Sequence, residues 1–209
     1  MNDSANVFLV DDEPALLKAL TRLLRAEGLN VAAFESATAF LKVPCPKVPG
    51  CLVLDEVMPG VTGTELQRHL IEEGSDLAII FLTGNGDIPK SVRAIKAGAV
   101  DFLTKPVKDS ALLAAIHAGL KKSGLQVAAR AELQELKNHF DLLSGREKQV
   151  LHHVVRGLPN KQIAAVLGVV EQTVKIHRSR VMAKMGADSL VSLVLMAERL
   201  GLTVGPISI

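Results

Sequence analysis

The chain has 209 residues, of which 48% are hydrophobic and 22% charged, a balance that is typical of globular proteins and excludes collagen-like or disordered chains. No apolar run approaches the ~18 residues of a membrane-spanning helix, and no basic segment leads into an apolar one near Met1, so we expect a cytoplasmic protein. Charge is uneven: residues 1–123 carry 13 basic and 15 acidic residues, whereas residues 124–209 carry 11 basic and 7 acidic ones. The two halves are therefore expected to bind different partners.

In the first half, short apolar runs alternate with longer segments of helical periodicity. The predicted strands are Asn6–Val10, Val31–Phe34, Cys51–Leu54, Ala78–Leu82 and Val100–Leu103. The predicted helices are Pro14–Glu27, Ser36–Lys42, Thr64–Glu73, Ile88–Ala97 and Lys108–Lys122. This alternation predicts a doubly wound α/β domain, with a parallel sheet covered by helices on both faces. Cys45 and Cys51 cannot form a disulfide framework and are interpreted as reduced, structural or incidental thiols.

Polar residues follow four of the predicted strands, at the edge where parallel sheets hold their ligands. Asp11 and Asp12 follow the first strand, Asp55 the third, Thr83 the fourth and Lys105 the fifth. Acids after strands are usually turn formers or helix caps, but five suitable groups at successive strand ends are hard to attribute to turns. Clustered carboxylates need a cation, and oxygen ligands suit Mg²⁺. One carboxylate in such a site can act as a nucleophile toward a phosphoryl group.

Residues 5–122 resemble the receiver domain of two-component response regulators, especially the FixJ-like branch. The matching motifs are Asp11-Asp12, Asp55-x-x-Met58-Pro59-x-x-x-Gly63, Thr83-Gly84 and Lys105-Pro106. The resemblance implies a flavodoxin-like fold of five parallel strands in the order 2-1-3-4-5. It also implies that Asp55 accepts a phosphoryl group from the phosphohistidine of a sensor kinase.

The same resemblance implies a metal site and a switch. Mg²⁺ (or Mn²⁺) would be bound by Asp12 and Asp55 directly, by Asp11 through water and by the backbone carbonyl of Val57. Thr83 and Lys105 would contact the phosphoryl oxygens, and Phe102 stands at the position of the switch aromatic. The family usually has a cis bond before Pro106.

A phosphatase of the haloacid dehalogenase type is an alternative for this half, because such enzymes also use a nucleophilic Asp after a strand. They place a general acid two residues later, where this chain has Val57, which cannot transfer a proton. We therefore expect no enzyme, but a phosphoacceptor with at most slow self-catalysed phosphorylation and dephosphorylation.

Residues 123–141 are predicted to form a helical linker with a narrow apolar stripe, packed on either domain or on a second chain, with packing within the chain as the simpler default. The stripe consists of Leu125, Ala129, Leu133, Leu136 and Phe140.

From Leu142 onward the periodicity is helical throughout. Ser144 and Glu147 form a predicted capping box for a helix that ends at Arg156. Asn160 is the predicted N-cap of a helix over 161–167, and a basic helix over 171–185 and a last helix to about Leu200 follow. A short helix, a tight turn and a basic helix predict a helix-turn-helix whose second helix enters the major groove.

Residues 143–201 resemble the LuxR-type effector domain of NarL/FixJ response regulators. The matching blocks are Leu143-Ser144-x-Arg146-Glu147, Asn160-Lys161-x-Ile163-Ala164 and Thr173-Val174-Lys175-x-His177. The resemblance places Lys175, Ile176 and Ser179 toward base edges, with Arg178 beside them. It places Asn160, Lys161, Thr173, Arg180 and Lys184 toward phosphates.

Val170 replaces the Ser or Thr that usually caps the recognition helix, so that helix end is expected to be weaker by about 1 kcal/mol and DNA binding somewhat weaker. Most apolar residues of the last helix are expected to complete the effector core, with a surplus for a dimer contact. His177 is interpreted as structural, and no zinc site is predicted.

Together these observations predict a receiver domain over 1–122, a linker over 123–141 and an all-α, four-helix DNA-binding domain over 142–209. The function predicted is phosphorylation-switched transcription regulation. The implied partners are a sensor histidine kinase, double-stranded promoter DNA, RNA polymerase and a second copy of the chain. A phosphate-independent DNA-binding regulator and a protein-interaction adaptor stand as alternatives to it.

Overall fold

The computed structural model describes residues 6–43, 48–84 and 88–202. The interpretation given above to Cys45 concerns a residue outside these ranges. None of the helices within them is long and apolar enough to cross a membrane.

A five-stranded parallel sheet forms the centre of the first half. Its strands are β1 (Asn6–Val10), β2 (Asn30–Phe34), β3 (Gly50–Leu54), β4 (Ala78–Thr83) and β5 (Asp101–Thr104). Their order is β2-β1-β3-β4-β5, and every neighbouring pair is parallel, which confirms the predicted topology. Val10 pairs with both Phe34 and Leu54, so the ends of three strands lie at the same level of the sheet.

Helices cover both faces of this sheet. They are α1 (Pro14–Ala26), α2 (Ala37–Leu41), α3 (Gly63–Glu72), α4 (Ile88–Lys96) and α5 (Asp109–Asp141). On one face, Leu24 of α1 and Ile116 of α5 belong to the same core as Val7 and Ile80 of the sheet. On the other face, Phe40 of α2 and Leu66 of α3 belong to the same core as Leu52. β3 and β4 are buried along their whole length because they are central strands covered on both sides.

Helix α5 does not end at Lys122, as the sequence interpretation had it, but continues to Asp141 as one helix. Gly124 lowers helix stability by about 1 kcal/mol but keeps its N–H, so it does not break the helix as a proline would. Two compact units divide between Ala128 and Ala129, within this helix. The predicted apolar stripe is not uniformly packed: Leu125 is 66% exposed, whereas Leu136 and Phe140 belong to the core of the second unit.

The second unit packs the end of α5 with α6 (Gly145–Val154), α7 (Asn160–Leu167), α8 (Glu171–Met185) and α9 (Leu190–Arg199). The Ser144–Glu147 capping box is present at the start of α6. Asn160 is not the N-cap of α7: Pro159 occupies that position, and Asn160 is the first helical residue. Gly168 ends α7 in the left-handed conformation (φ 64°), which glycine adopts without a steric penalty.

The prediction that most apolar residues of α9 complete the core is wrong. The residues concerned are Leu190, Val191, Leu193, Val194 and Leu195. Leu193 is fully buried and Val194 half-buried, whereas Leu190, Val191 and Leu195 are 41%, 70% and 55% exposed. A helix that packs through one face buries residues three or four apart, here Leu193 and Ala197, and leaves the others outside.

Candidate functional site

Three carboxylates meet at the carboxyl edge of the sheet. Each of Asp11, Asp12 and Asp55 offers an oxygen that lies within 4.8 Å of those of the other two. Asp11 and Asp55 are 4% and 6% exposed, while Asp12 is exposed. The acidic cluster is therefore buried at Asp11 and Asp55 and accessible to solvent at Asp12.

The sheet fixes the backbone of this site. Asp55 donates its N–H to the carbonyl of Val10 (2.8 Å), and Asp11 donates its own to Phe34 (3.2 Å), so both acids extend the strand ladder by one residue. Gly63, at the start of α3, lies so close to the carbonyl oxygen of Asp55 that a Cβ atom there would overlap it. The glycine of the Asp55 motif therefore lets α3 begin directly against the backbone of Asp55.

Lys105 supplies the positive charge of the site. Its ammonium lies 2.7 Å from Asp11 Oδ2, 3.1 Å from Glu13 Oε1 and 3.5 Å from Asp55 Oδ2. The peptide bond before Pro106 is cis, and the N–H of Lys105 donates to the carbonyl of Thr83 at 2.7 Å. Sequence reasoning missed Glu13, although it directly follows Asp11 and Asp12 in a run of three acids.

These contacts shift the pKa values of both charged partners. Burial raises the pKa of the Asp55 carboxyl above its ordinary value. The positive charge of Lys105 lowers this pKa, the negative charge of Asp11 raises it, and the hydrogen bond from the Val57 N–H lowers it. Partial burial alone would lower the pKa of Lys105, but hydrogen bonds to Asp11 and Glu13 outweigh it, and the pKa is raised. Lys105 is therefore a permanent cation beside a carboxyl group that is costly to ionise.

The donor set fits a hard divalent cation. All three side chains offer carboxylate oxygens, the ligands that Mg²⁺ prefers, and a cation between them would offset both the burial of Asp55 and its repulsion by Asp11, which raise the pKa of Asp55. The acidic cluster could thus hold the Mg²⁺ that receiver domains typically bind. Val57 adjoins the cluster, with its N–H donating to Asp55 and its side chain 61% exposed.

Thr83 and Phe102 lie on the neighbouring strands β4 and β5. Thr83 is fully buried at the end of β4, and the Cα partner of Phe102 is Phe81, two residues before Thr83. The ring of Phe102 is half-buried, with its centroid 5.8 Å from that of Phe81. The two residues predicted as a switch therefore share one corner of the sheet.

In the second unit, the predicted DNA contacts differ in accessibility. Five of these side chains are exposed, those of Lys161, Lys175, Ile176, Ser179 and Arg180. The other four are half-buried, those of Asn160, Thr173, Arg178 and Lys184.

Internal bonds hold several of these basic groups. Arg178 donates to Asn160 Oδ1 (3.2 Å), which links α8 to α7. Lys184 lies 2.7 Å from the buried carboxylate of Glu147, and Lys175 forms a 3.3 Å ion pair with Glu171 one turn earlier. Arg178 and Lys184 thus contribute to the packing of the unit as well as to its charge.

The surroundings of two further residues are seen at α8: Val170, directly before its first residue, and His177, within the helix. Val170 occupies the N-cap position without a side-chain hydrogen bond. His177 is half-buried, and within the described ranges its Nδ1 is the buried side-chain nitrogen that lacks a hydrogen-bond partner. The structural role of His177 stays a prediction.

A parallel sheet with acids, a threonine and a lysine at its carboxyl edge, followed by a helix-turn-helix unit, defines a response regulator of the receiver and helix-turn-helix class. Residues 7–117 match the model of the response regulator receiver domain, and residues 141–197 match that of bacterial regulatory proteins of the luxR family. The chain belongs to the NarL/FixJ class of two-component response regulators.

Individual relatives agree with this assignment. Response regulator protein TodT of Pseudomonas putida is 47% identical over 96% of this chain and 88% of its own length. Transcriptional regulatory protein FixJ of Azorhizobium caulinodans is 44% identical over 94% of this chain and 93% of its own. Among solved structures, response regulator StyR gives a TM-score of 0.83 at 45% identity, covering 94% of this chain and 99% of that one.

Proposed function

We propose that this transcriptional regulator is switched by phosphorylation of Asp55. Its family makes it a two-component regulator with a sensor kinase partner and a DNA-binding unit. The observation that supports the proposal is the packing of Asp55: a nearly buried carboxylate next to two further acids and 3.5 Å from a lysine ammonium. A buried acidic cluster of this kind is unfavourable for stability, which is typical of groups retained for chemistry.

The reaction is a phosphoryl transfer from a kinase phosphohistidine. An oxygen of the Asp55 carboxylate forms a bond to phosphorus, the N–P bond breaks, and its electron pair returns to the imidazole nitrogen of the kinase. Lys105, already held at the site by Asp11, supplies positive charge to the incoming phosphoryl oxygens. Thr83, on the adjacent strand, provides a hydroxyl that can hydrogen-bond the new group.

Asp12 and Asp55 would hold Mg²⁺ directly, Asp11 through water and Val57 through its backbone carbonyl. When bound, this cation supplies the charge that neutralises the phosphoryl oxygens during transfer. Val57 has no proton to give a leaving group, so we expect only slow self-catalysed formation and loss of the aspartyl phosphate, without enzymatic turnover.

Phosphorylation of Asp55 would act by promoting association of the chain with a second copy of itself. Hydrogen bonding of Thr83 to the phosphoryl group would move Phe102 and alter the surface of α4 and β5, which favours a dimer of receiver units. Two copies of α8 would then bind half-sites of promoter DNA one helical turn apart. Lys175, Ile176 and Ser179 would read bases, and the DNA-bound dimer would act on RNA polymerase.

Light scattering with Mg²⁺, before and after addition of beryllium fluoride as an aspartyl-phosphate mimic, tests the proposal. We expect a shift from monomer toward dimer, and no shift in the Asp55→Asn variant. A monomer that stays monomeric with the mimic would overturn dimerisation as the route of control. Equal shifts in both proteins would overturn Asp55 as the acceptor.

A further inference from the structure

Gln67 connects two helices of the receiver unit. It lies on α3, is 3% exposed, and donates its Nε2 amide to the carbonyl oxygens of Ala94 (3.2 Å) and Ala97 (3.5 Å). The carbonyl of Ala94 lies in the last turn of α4 and also accepts the N–H of Ala99 (3.1 Å), and Ala97 directly follows the last residue of the helix. The side chain of Gln67 therefore caps α4 from the neighbouring helix.

The other end of this connection is the phosphoacceptor. The N–H of Gly63 donates to the carbonyl of Glu56 (3.0 Å), and Gly63 packs directly on the carbonyl of Asp55. Gln67 follows Gly63 by about one helical turn. The first turns of α3 thus join the backbone of Asp55 to the C-terminal end of α4.

Other bonds hold the same end of α4. Lys122 of α5 donates to the carbonyl of Gly98 (3.2 Å), and the N–H of Val100 donates to Ile79 of β4 (2.7 Å). A groove of about 710 Å³ lies between α3 and α4, lined by Val57, Gln67 and Ile71 among others. Gln67 bridges this groove, so its loss would leave the two helices less firmly joined there.

We propose that Gln67 is a positioning residue of the phosphorylation switch. Its amide holds the C-terminal end of α4 on α3 in both states, so that a change at Thr83 pivots the helix about this end. An interaction that is equal in two states does not shift their equilibrium, but it restricts the motion that connects them. This inference rests on the proposed function, because it concerns the path from phosphorylated Asp55 to α4.

Hydrogen exchange of the full chain, with and without beryllium fluoride and Mg²⁺, tests it. Gln67→Met keeps the length of the side chain and removes the donor, and Gln67→Leu removes the donor with a shorter apolar side chain. In both variants we expect the amides of Ala97–Val100 to exchange about five- to tenfold faster. Because α4 would then open locally both with and without the mimic, exchange over Ser91–Lys96 would already be fast in both states, and the change that the mimic induces there should fall about two- to tenfold.

Two controls separate the possible outcomes. In the Gln67 variants, the rate at which acetyl phosphate phosphorylates Asp55 should stay within about twofold of the wild-type rate. The second control is Leu17→Val, which perturbs the core under α1 and should lower stability without changing the mimic-induced response. If Gln67 is purely structural, its substitution will lower the melting temperature and leave the mimic-induced response unchanged, and this result would overturn the inference. If the first variant fails to fold, the second is used for the test. Wild-type protein that shows neither phosphorylation nor a response would instead overturn the proposed function.

Discussion

Lys184, near the C-terminal end of α8, lies 2.7 Å from a carboxylate oxygen of Glu147, which is 3% exposed. The same ammonium donates to the carbonyl of Leu142 at 3.1 Å. Glu147 in turn accepts the backbone N–H of Ser144 at 2.8 Å. The helix predicted to enter DNA is thus tied to the N-terminus of α6, and Lys184 has a structural role beside any contact with phosphate.

Glu147→Gln should destabilise the DNA-binding unit by about 1–2 kcal/mol, because the neutral amide no longer forms an ion pair with the ammonium of Lys184. The loss is modest because the amide can still accept the N–H of Ser144 and because water partly screens the charge of Lys184. Urea unfolding of the full chain, followed through the amides of α6 and α8, measures this loss. The matched control is Asp141→Asn, which removes the exposed 3.6 Å ion pair with Lys148 and should cost less than about 0.5 kcal/mol. Equal losses in the two variants would contradict the prediction.

The contribution of Glu147 should also depend on pH. The hydrogen bond from Lys184, and then that from the Ser144 N–H, lower the pKa of Glu147 from 4.5 to about 2. A lowered carboxyl pKa stabilises the fold above the unfolded value and is lost as pH falls through the folded one. The gap in unfolding free energy between wild type and Glu147→Gln should therefore shrink between about pH 4.5 and about pH 2. A gap that is constant over this range would show that Lys184 does not stabilise the charged form.

Asp55→Asn should stabilise the receiver unit at neutral pH. Burial raises the pKa of Asp55, so ionisation lowers stability progressively as the pH rises from the ordinary carboxyl value of 3.8 to the higher folded pKa, and the full loss is present above it. We expect a gain of about 1 kcal/mol in unfolding free energy without divalent cations, and less with Mg²⁺. The gain should disappear as pH falls below the ordinary carboxyl value of 3.8. Glu27→Gln, at an exposed helix end, is the control and should change stability by less than about 0.5 kcal/mol.

Val170→Ser should strengthen the start of α8. The hydroxyl can accept a backbone N–H of the first turn, which Val170 cannot do, and such a cap is worth about 1 kcal/mol. Val170→Ala controls for the loss of an apolar side chain that is 68% exposed. Thermal unfolding and binding to promoter DNA measure the two effects, and a serine variant no more stable than the alanine variant would exclude capping.

Arg180→Ala and Lys175→Ala should affect DNA binding differently. Loss of a phosphate contact at the exposed Arg180 should lower the slope of log Kd against log salt by about one, equally for all DNA sequences. Loss of a base contact at Lys175 should lower discrimination between promoter and random DNA by about 1–3 kcal/mol. Fluorescence anisotropy at several salt concentrations measures both, with Lys18→Ala on α1 as the control. Interchanged effects would reverse the two assigned roles.

Period and residue type predicted the strands and most of the helices. The apolar runs predict a parallel sheet, and the acids that follow them predict the meeting of Asp11, Asp12 and Asp55, because parallel strands share one carboxyl edge. The strand order was implied by the resemblance to receiver domains. The capping box of Ser144 and Glu147 marks the start of α6 correctly, because caps depend on residues within one turn. Such features are local in sequence, so they can be read without the fold.

Features that depend on which surfaces are covered could not be read in this way. Helical periodicity in α9 does not show which apolar residues face the core, and only the packed structure shows that Leu193 is buried while Val191 is exposed. The bond from Gln67 to Ala97 and that from Lys184 to Glu147 join residues 30 and 37 positions apart. The sequence by itself determined the receiver and helix-turn-helix classes and the acidic cluster. Only the tertiary structure decided which charged and amide side chains bond to one another, because those partners are distant along the chain and are brought together by packing.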